Sequence, residues 1–193
     1  MITVDHHLRA LTEFNRRVRA IGIDGWGLPV PTCPEWDVTA LVEHVTLRTA
    51  WTARLIAGGT PEQVADFVDR HCNGGDGALA SWRRVFVDAC AVLDQVSLDR
   101  DVSLPGGPLP ATSYLAEVCC DTVVHTWDLA IAVGADPRLD GVLVDACDDW
   151  LAAIEEDWRR RGAIGARAPV PARADPQEAL LARVGRRSEA HSA

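Results

Sequence analysis

From Ala116 to Val133 the chain is an apolar run broken at helical spacing by Asp121, His125 and Asp128. No other stretch constrains the fold as strongly. Four helical residues advance about 400°, so Asp121 and His125 share a face with Cβ atoms about 6 Å apart. A second apolar helix is expected after Trp36-Asp37-Val38 and carries His44 within Leu41-Val42-Glu43-His44-Val45. Two imidazoles and a carboxylate from facing helices make a three-ligand set that leaves one metal position open, as catalysis requires.

The helical period continues outside these segments. Val4, Leu8, Leu11, Asn15 and Val18 trace a largely apolar stripe on a first helix at about 3–21, and Gly22 to Pro34 break the chain into an extended connection. Asp37 is a plausible N-cap for the second helix, which runs to about Ala57 and ends at Gly58-Gly59. A short helix follows from Pro61. A longer one at about 77–96 packs through Trp82, Val85, Phe86, Ala89 and Leu93. Residues 99–110, with their prolines and glycines, suit a small hairpin or lid. The apolar helix then spans about 111–133, and another spans about 139–161 with Trp150, Ile154 and Trp158 at helical spacing. A short helix from Pro176 carries Leu180, Leu181 and Val184. The reading is all-α: an up-and-down, antiparallel four-helix bundle with an additional C-terminal helix and tail.

Composition narrows the function classes. A net charge of −9 argues against a nucleic-acid partner. With no uncharged apolar stretch of about 20 residues, no membrane span is expected, and the start from Met1 to Arg9 does not read as a signal peptide. A cytoplasmic setting is expected. All 19 basic residues are Arg, which removes Schiff-base lysine chemistry. The six cysteines, at 33, 72, 90, 119, 120 and 147, match neither a secreted disulfide framework nor a Cys-x-x-Cys zinc pattern, so they read as reduced thiols.

Each candidate has a plainer reading. Glu117, Asp121, His125 and Asp128 would also make one wetted helix face, and the metal reading requires that this face meet a cavity in the bundle. His44 alone would read as a packed histidine. Arg48, one turn on, either holds a substrate anion or forms a surface ion pair. His6, His7 and His71 lack ligand partners at helical spacing, and nothing beside Cys33 lowers its pKa.

The block Pro31-Thr32-Cys33-Pro34-Glu35-Trp36-Asp37-Val38-Thr39-Ala40-Leu41-Val42-Glu43-His44-Val45 resembles the signature of the mycothiol-dependent maleylpyruvate isomerase N-terminal domain family, a branch of the DinB-like metal-binding bundles. The block Asp121-Thr122-Val123-Val124-His125-Thr126-Trp127-Asp128-Leu129-Ala130 followed by Gly134 is similar to that family's fourth-helix motif. The tail, with Ala168-Pro169-Val170-Pro171-Ala172 and Leu180 to Arg186, resembles the ending of its short, single-domain members. The resemblance implies one DinB-like domain over 1–193: a bundle at about 3–162, a packed-back tail at about 163–185, and a disordered end at 186–193.

Carried over residue by residue, the resemblance makes His44 and His125 the two histidine ligands. It places Asp121 where the isomerase has a glutamate and many DinB-like proteins a histidine. The shorter aspartate retracts the carboxylate. The isomerase also implies a second, C-terminal domain, for which this chain is expected to have no room; that puts maleylpyruvate isomerisation in question and leaves the metal site intact.

The implied activity is that of a divalent-metal enzyme, with Zn²⁺ or another ion such as Ni²⁺ on His44, Asp121 and His125. Mycothiol would be its co-substrate and a small-molecule electrophile its target for isomerisation, conjugation or S-transfer. Asp128 would orient His125 or act as a base, and Arg48 would assist catalysis. The reading admits a homodimer. Two alternatives stay open: a zinc-hydroxide hydrolase, and a non-catalytic metal-binding stress or interaction module.

Overall fold

The computed structural model describes residues 1–72, 77–162 and 164–187. Its helices begin where side chains can satisfy free backbone amides. Thr3 caps α1 (Val4–Val18) in a reciprocal pair with His6, and Asp37 caps α2 (Val38–Ile56) through the Ala40 amide. Thr60 and Gln63 form the same reciprocal cap on α3 (Pro61–His71), with proline in its first turn. Next come α4 (Ala78–Leu93), the antiparallel hairpin β1 (Asp101–Leu104) and β2 (Gly107–Pro110), and α5 (Ala111–Ala132). The hairpin lies where the proline- and glycine-rich segment was expected to turn. Asp140 caps α6 (Gly141–Arg160), and Asp175 with Glu178 caps α7 (Pro176–Arg183).

The four long helices α1, α2, α4 and α5 form the bundle, with one correction to the expected up-and-down order. Along the α2–α5 contact His44 meets Asp121 and Arg48 meets Glu117, so these two helices are antiparallel. The last turn of α2 instead meets the second half of α4, where Arg54 pairs with Asp88, so α2 and α4 run parallel. Arg17, near the end of α1, donates to Asp136 and Arg138 just past the end of α5, so those two also run parallel. The short helix α3 returns the chain along the bundle between α2 and α4. Up, down, down, up is the resulting order; a return helix of this kind leaves no separate mark in hydrophobic periodicity.

Burial also rotates the expected stripe on α1. His7, Ala10, Leu11, Phe14, Arg17 and Val18 are buried, whereas Val4 and Leu8 are only partly covered. The main core joins Leu11 and Phe14 to Leu41, Val45, Trp82, Val85, Leu115 and Leu129. A second core lies between α5, α6 and α7, around Cys119, Val123, Trp127, Leu143, Cys147, Leu151 and Leu180. Apolar contacts therefore cover α5 on two sides, and its polar row faces the edge between them.

The tail closes over that edge. Gly185 sits at φ +80° with its would-be Cβ 3.1 Å from the Ala166 carbonyl, so only glycine makes this turn without strain. It delivers Arg186 into the bundle. Arg186, expected at the start of a disordered end, is 19% exposed; Nε and Nη2 donate to Asp128 and Nη1 to the Val184 carbonyl. Residues 188–193 lie outside the described residues. Among the described residues, no helix is long and apolar enough to cross a membrane.

Candidate metal centre

The antiparallel register of α2 and α5 determines what meets what. His44 Nε2 lies 3.3 Å from Asp121 Oδ2, and His125 Nε2 lies 3.4 Å from Asp121 Oδ1. Each carboxylate oxygen thus faces one imidazole, and one donor atom from each of the three residues lies within 4.8 Å of the others. A tetrahedral ion with bonds of about 2.0–2.1 Å needs ligand atoms about 3.3 Å apart. His44 and His125 each stand at about that distance from the Asp121 carboxylate, one at each oxygen. The donor set fits a divalent ion of borderline softness.

Behind His125 the support is continuous. Its Nδ1 lies 2.9 Å from Asp128 Oδ2, which fixes the ring and leaves Nε2 directed at the site. Asp128 is fully buried, and Arg186 binds both of its oxygens, at 2.9 and 3.3 Å. Both Asp128 oxygens are thus engaged within the protein, Oδ2 by His125 as well as by Arg186. Arg48 forms the ion pair that was one of its two expected readings: it donates to Glu117 at 3.0 Å and lies 3.6 Å from Asp121. It reinforces the carboxylate row rather than presenting a free cation.

The charges are mutually dependent. Burial opposes ionisation of Asp121, yet hydrogen bonds from His125 and His44 and the positive field of His125 and Arg48 hold its carboxyl well below the usual range. Burial likewise opposes a charge on His125, but the Asp121 and Asp128 carboxylates outweigh it and raise the imidazole to about 9. Without a metal, His125 therefore holds a proton where an ion would bring its own positive charge.

Trp36 covers the pair of imidazoles, its ring 4.8 Å from His44 and 5.6 Å from His125. The extended connection holds it there, with the Val30 amide donating to the Trp36 carbonyl and the Trp36 amide to Cys33. All three candidate ligands open onto a cavity of about 230 Å³, walled by Trp36, Trp158 and Arg186 among others. Among the described residues, a larger depression of about 850 Å³ near Arg16, Asp24 and Asp136 holds no converging donor set.

The structure thus brings together the three residues singled out by their spacing. His6, on α1, instead closes the Thr3 cap, and His71 stacks on Phe67. Cys33 borders the cavity 3.6 Å from Arg186, but burial and the nearby Asp128 charge push its thiol up, so it is no ready nucleophile. Arg186 and Trp36 went unassigned by sequence reasoning. A lone arginine past a short helix carries no periodic signal, and the Trp36 contact depends on how the extended segment folds back.

Comparison with known proteins gives the chain a family and a shared fold. The family model for the mycothiol maleylpyruvate isomerase N-terminal domain matches residues 7–130, a span that includes every candidate ligand. Two relatives from Mycobacterium tuberculosis, the uncharacterized proteins MT0763 of strain CDC 1551 and Rv0738 of strain H37Rv, are each 27% identical over 187 residues. That alignment covers 93% of this chain and 95% of each relative. Crystal structures of the mycothiol-dependent maleylpyruvate isomerase and of a point mutant superpose with TM-scores of 0.53 and 0.54. Both are 16% identical, over 86% of this chain and 75% of theirs, and so establish a shared fold. The matched segment spans more than half of the sequence, and the chain belongs to the mycothiol maleylpyruvate isomerase N-terminal domain family.

Proposed function

We propose that this protein is a divalent-metal enzyme that uses a low-molecular-weight thiol, mycothiol, against a small electrophile, in an isomerisation, conjugation or S-transfer reaction. The observation carrying this reading is the convergence of His44 Nε2, Asp121 and His125 Nε2 at the edge of a cavity rather than inside closed packing. Three protein ligands beside a cavity are what a catalytic site needs, whereas a structural site is closed by four. The ion is Zn²⁺, or another divalent ion such as Ni²⁺. When bound, it supplies Lewis acidity that favours the thiolate form of a thiol.

The chain's own residues do the rest. Asp121 neutralises part of the ion's charge and spaces the two histidines. Asp128, held by Arg186, keeps the His125 Nδ1 proton in place, so that the proton an ion displaces is the one on Nε2. Trp36 and the apolar part of the cavity wall cover one side of the reacting atoms. The thiol and the electrophile are carried over from the family, and the reduced cysteines accord with a cytoplasmic setting.

The test is elemental analysis of the purified protein beside His44→Ala, followed by an electrophile screen with and without mycothiol. One ion per chain in the parent, none in the variant, and turnover dependent on both metal and thiol support the reading. Equal turnover without thiol points to hydrolysis by a metal-activated water instead. Undiminished turnover after chelation removes both enzyme readings.

A further inference from the structure

His44 belongs to two cavities. Its ring lines the 230 Å³ cavity shared with Asp121 and His125, and it also lines a separate cleft of about 490 Å³ on the far side, bounded by Arg48, Trp51, Leu104, Tyr114 and Glu117. The first is below the roughly 300–1,000 Å³ that drug-sized ligands occupy, and the second is within it. Their walls differ as well. Beside the candidate ligands, the inner cavity is faced by Trp36, Leu151, Trp158 and Ile164 together with Cys33 and Glu35, and its one arginine is already committed to Asp128. The outer cleft sets the aromatic side chains of Trp51 and Tyr114 beside the Arg48–Glu117 pair, whose members are 30% and 34% exposed. Guanidinium and carboxylate groups paired at one point keep further donor and acceptor positions.

Building on the functional reading above, we propose that the outer cleft binds the hydroxyl-rich body of the thiol, while the inner cavity holds the small electrophile. Mycothiol is an N-acetylcysteine joined through an amide to a pseudodisaccharide. That body is too large for the inner cavity. Trp51 offers a flat apolar face to ring C–H groups over the buried Tyr114, and Arg48 and Glu117 offer partners to hydroxyls. The cysteinyl arm then passes His44 to reach the three donor atoms. Separate clefts let both reactants meet at one site without competing for space.

The test uses zinc-loaded protein and two neutral probes: mycothiol, and N-acetylcysteinamide as the same thiol without its sugar body. Calorimetric Kd values and zinc content are compared for the parent, for Trp51→Ala, and for Leu47→Arg, which obstructs the cleft from its exposed rim. Mycothiol should bind the parent at least about tenfold more tightly than the fragment. Each variant should lose about tenfold for mycothiol, equivalent to about 1.4 kcal/mol, with the fragment Kd and zinc content unchanged. A parent that prefers mycothiol while both variants retain that preference overturns the cleft assignment alone. Equal loss of both probes, or equal affinity for them in the parent, overturns it too. A zinc-loaded parent that binds neither probe overturns the thiol reading beneath it.

Discussion

Metal affinity should depend steeply on pH because the ion must displace the proton on His125. That imidazole is held at about 9 by Asp121 and Asp128 against the opposing effect of burial. At pH 7 the proton lies about two pH units below its release point, which costs the ion about 2.7 kcal/mol, or about 100-fold in affinity. The apparent Kd should therefore improve about tenfold per pH unit up to about 9 and then level off. The same shift changes stability with the opposite sign. The unfolded imidazole titrates near 6.5 and the folded one near 9, so the metal-free fold gains from this group below pH 6.5. The gain is at most about 3 kcal/mol, fades as pH rises through the folded value, and is gone above it. With the side chain only 7% exposed, solvent screens little of this. Competition with a chromophoric chelator from pH 6 to 9.5 measures the affinity, and urea denaturation of the chelated protein measures the stability. Asp128→Asn removes one of the two carboxylates and should bring the plateau to lower pH. A flat Kd from pH 6.5 to 8.5, or an unchanged plateau in Asp128→Asn, would refute the argument.

Four further outcomes follow from named contacts. His44→Ala or His125→Ala should each abolish stoichiometric metal while circular dichroism stays helical, because the cores around Leu41, Trp82 and Leu115 do not depend on the ion; full metal retention in either variant counts against the ligand set. Asp121→Asn should reduce activity more than Asp128→Asn, since it removes a negative ligand, whereas losses through a supporting residue are commonly about 10–100-fold; kcat/KM for the two variants decides the order. Arg186→Met should destabilise the fold by about 3 kcal/mol, because it strips the fully buried Asp128 of its cationic partner, and an unchanged urea midpoint would contradict that. His7 is fully buried with both ring nitrogens unpartnered, and burial lowers it to about 4. Stability should accordingly fall by up to about 3 kcal/mol as pH drops from 6.5 to 4, and His7→Leu should reduce that acid sensitivity in denaturation curves.

The sequence by itself determined the helical elements and the residues that could form a site. Local rules govern both: apolar positions recur every 3.6 residues, and caps at Asp37 and Asp175 satisfy their own helix termini. The four-residue spacing of Asp121 and His125 follows from one helix and needs no tertiary information. Tertiary structure decided the rest. The direction of α4 depends on how α3 crosses the bundle, and the buried face of α1 depends on which helices pack against it, so His7 and Arg17 lie inside where periodicity favoured Val4 and Leu8. Whether the Asp121 row faced water or a cavity was equally undecided along the chain, because a polar stripe looks the same in either place. The register of α2 against α5, the fold-back of Trp36, and the turn at Gly185 that carries Arg186 to Asp128 decide it. These contacts join residues 77, 89 or 58 positions apart, and no local preference encodes a partner at that distance.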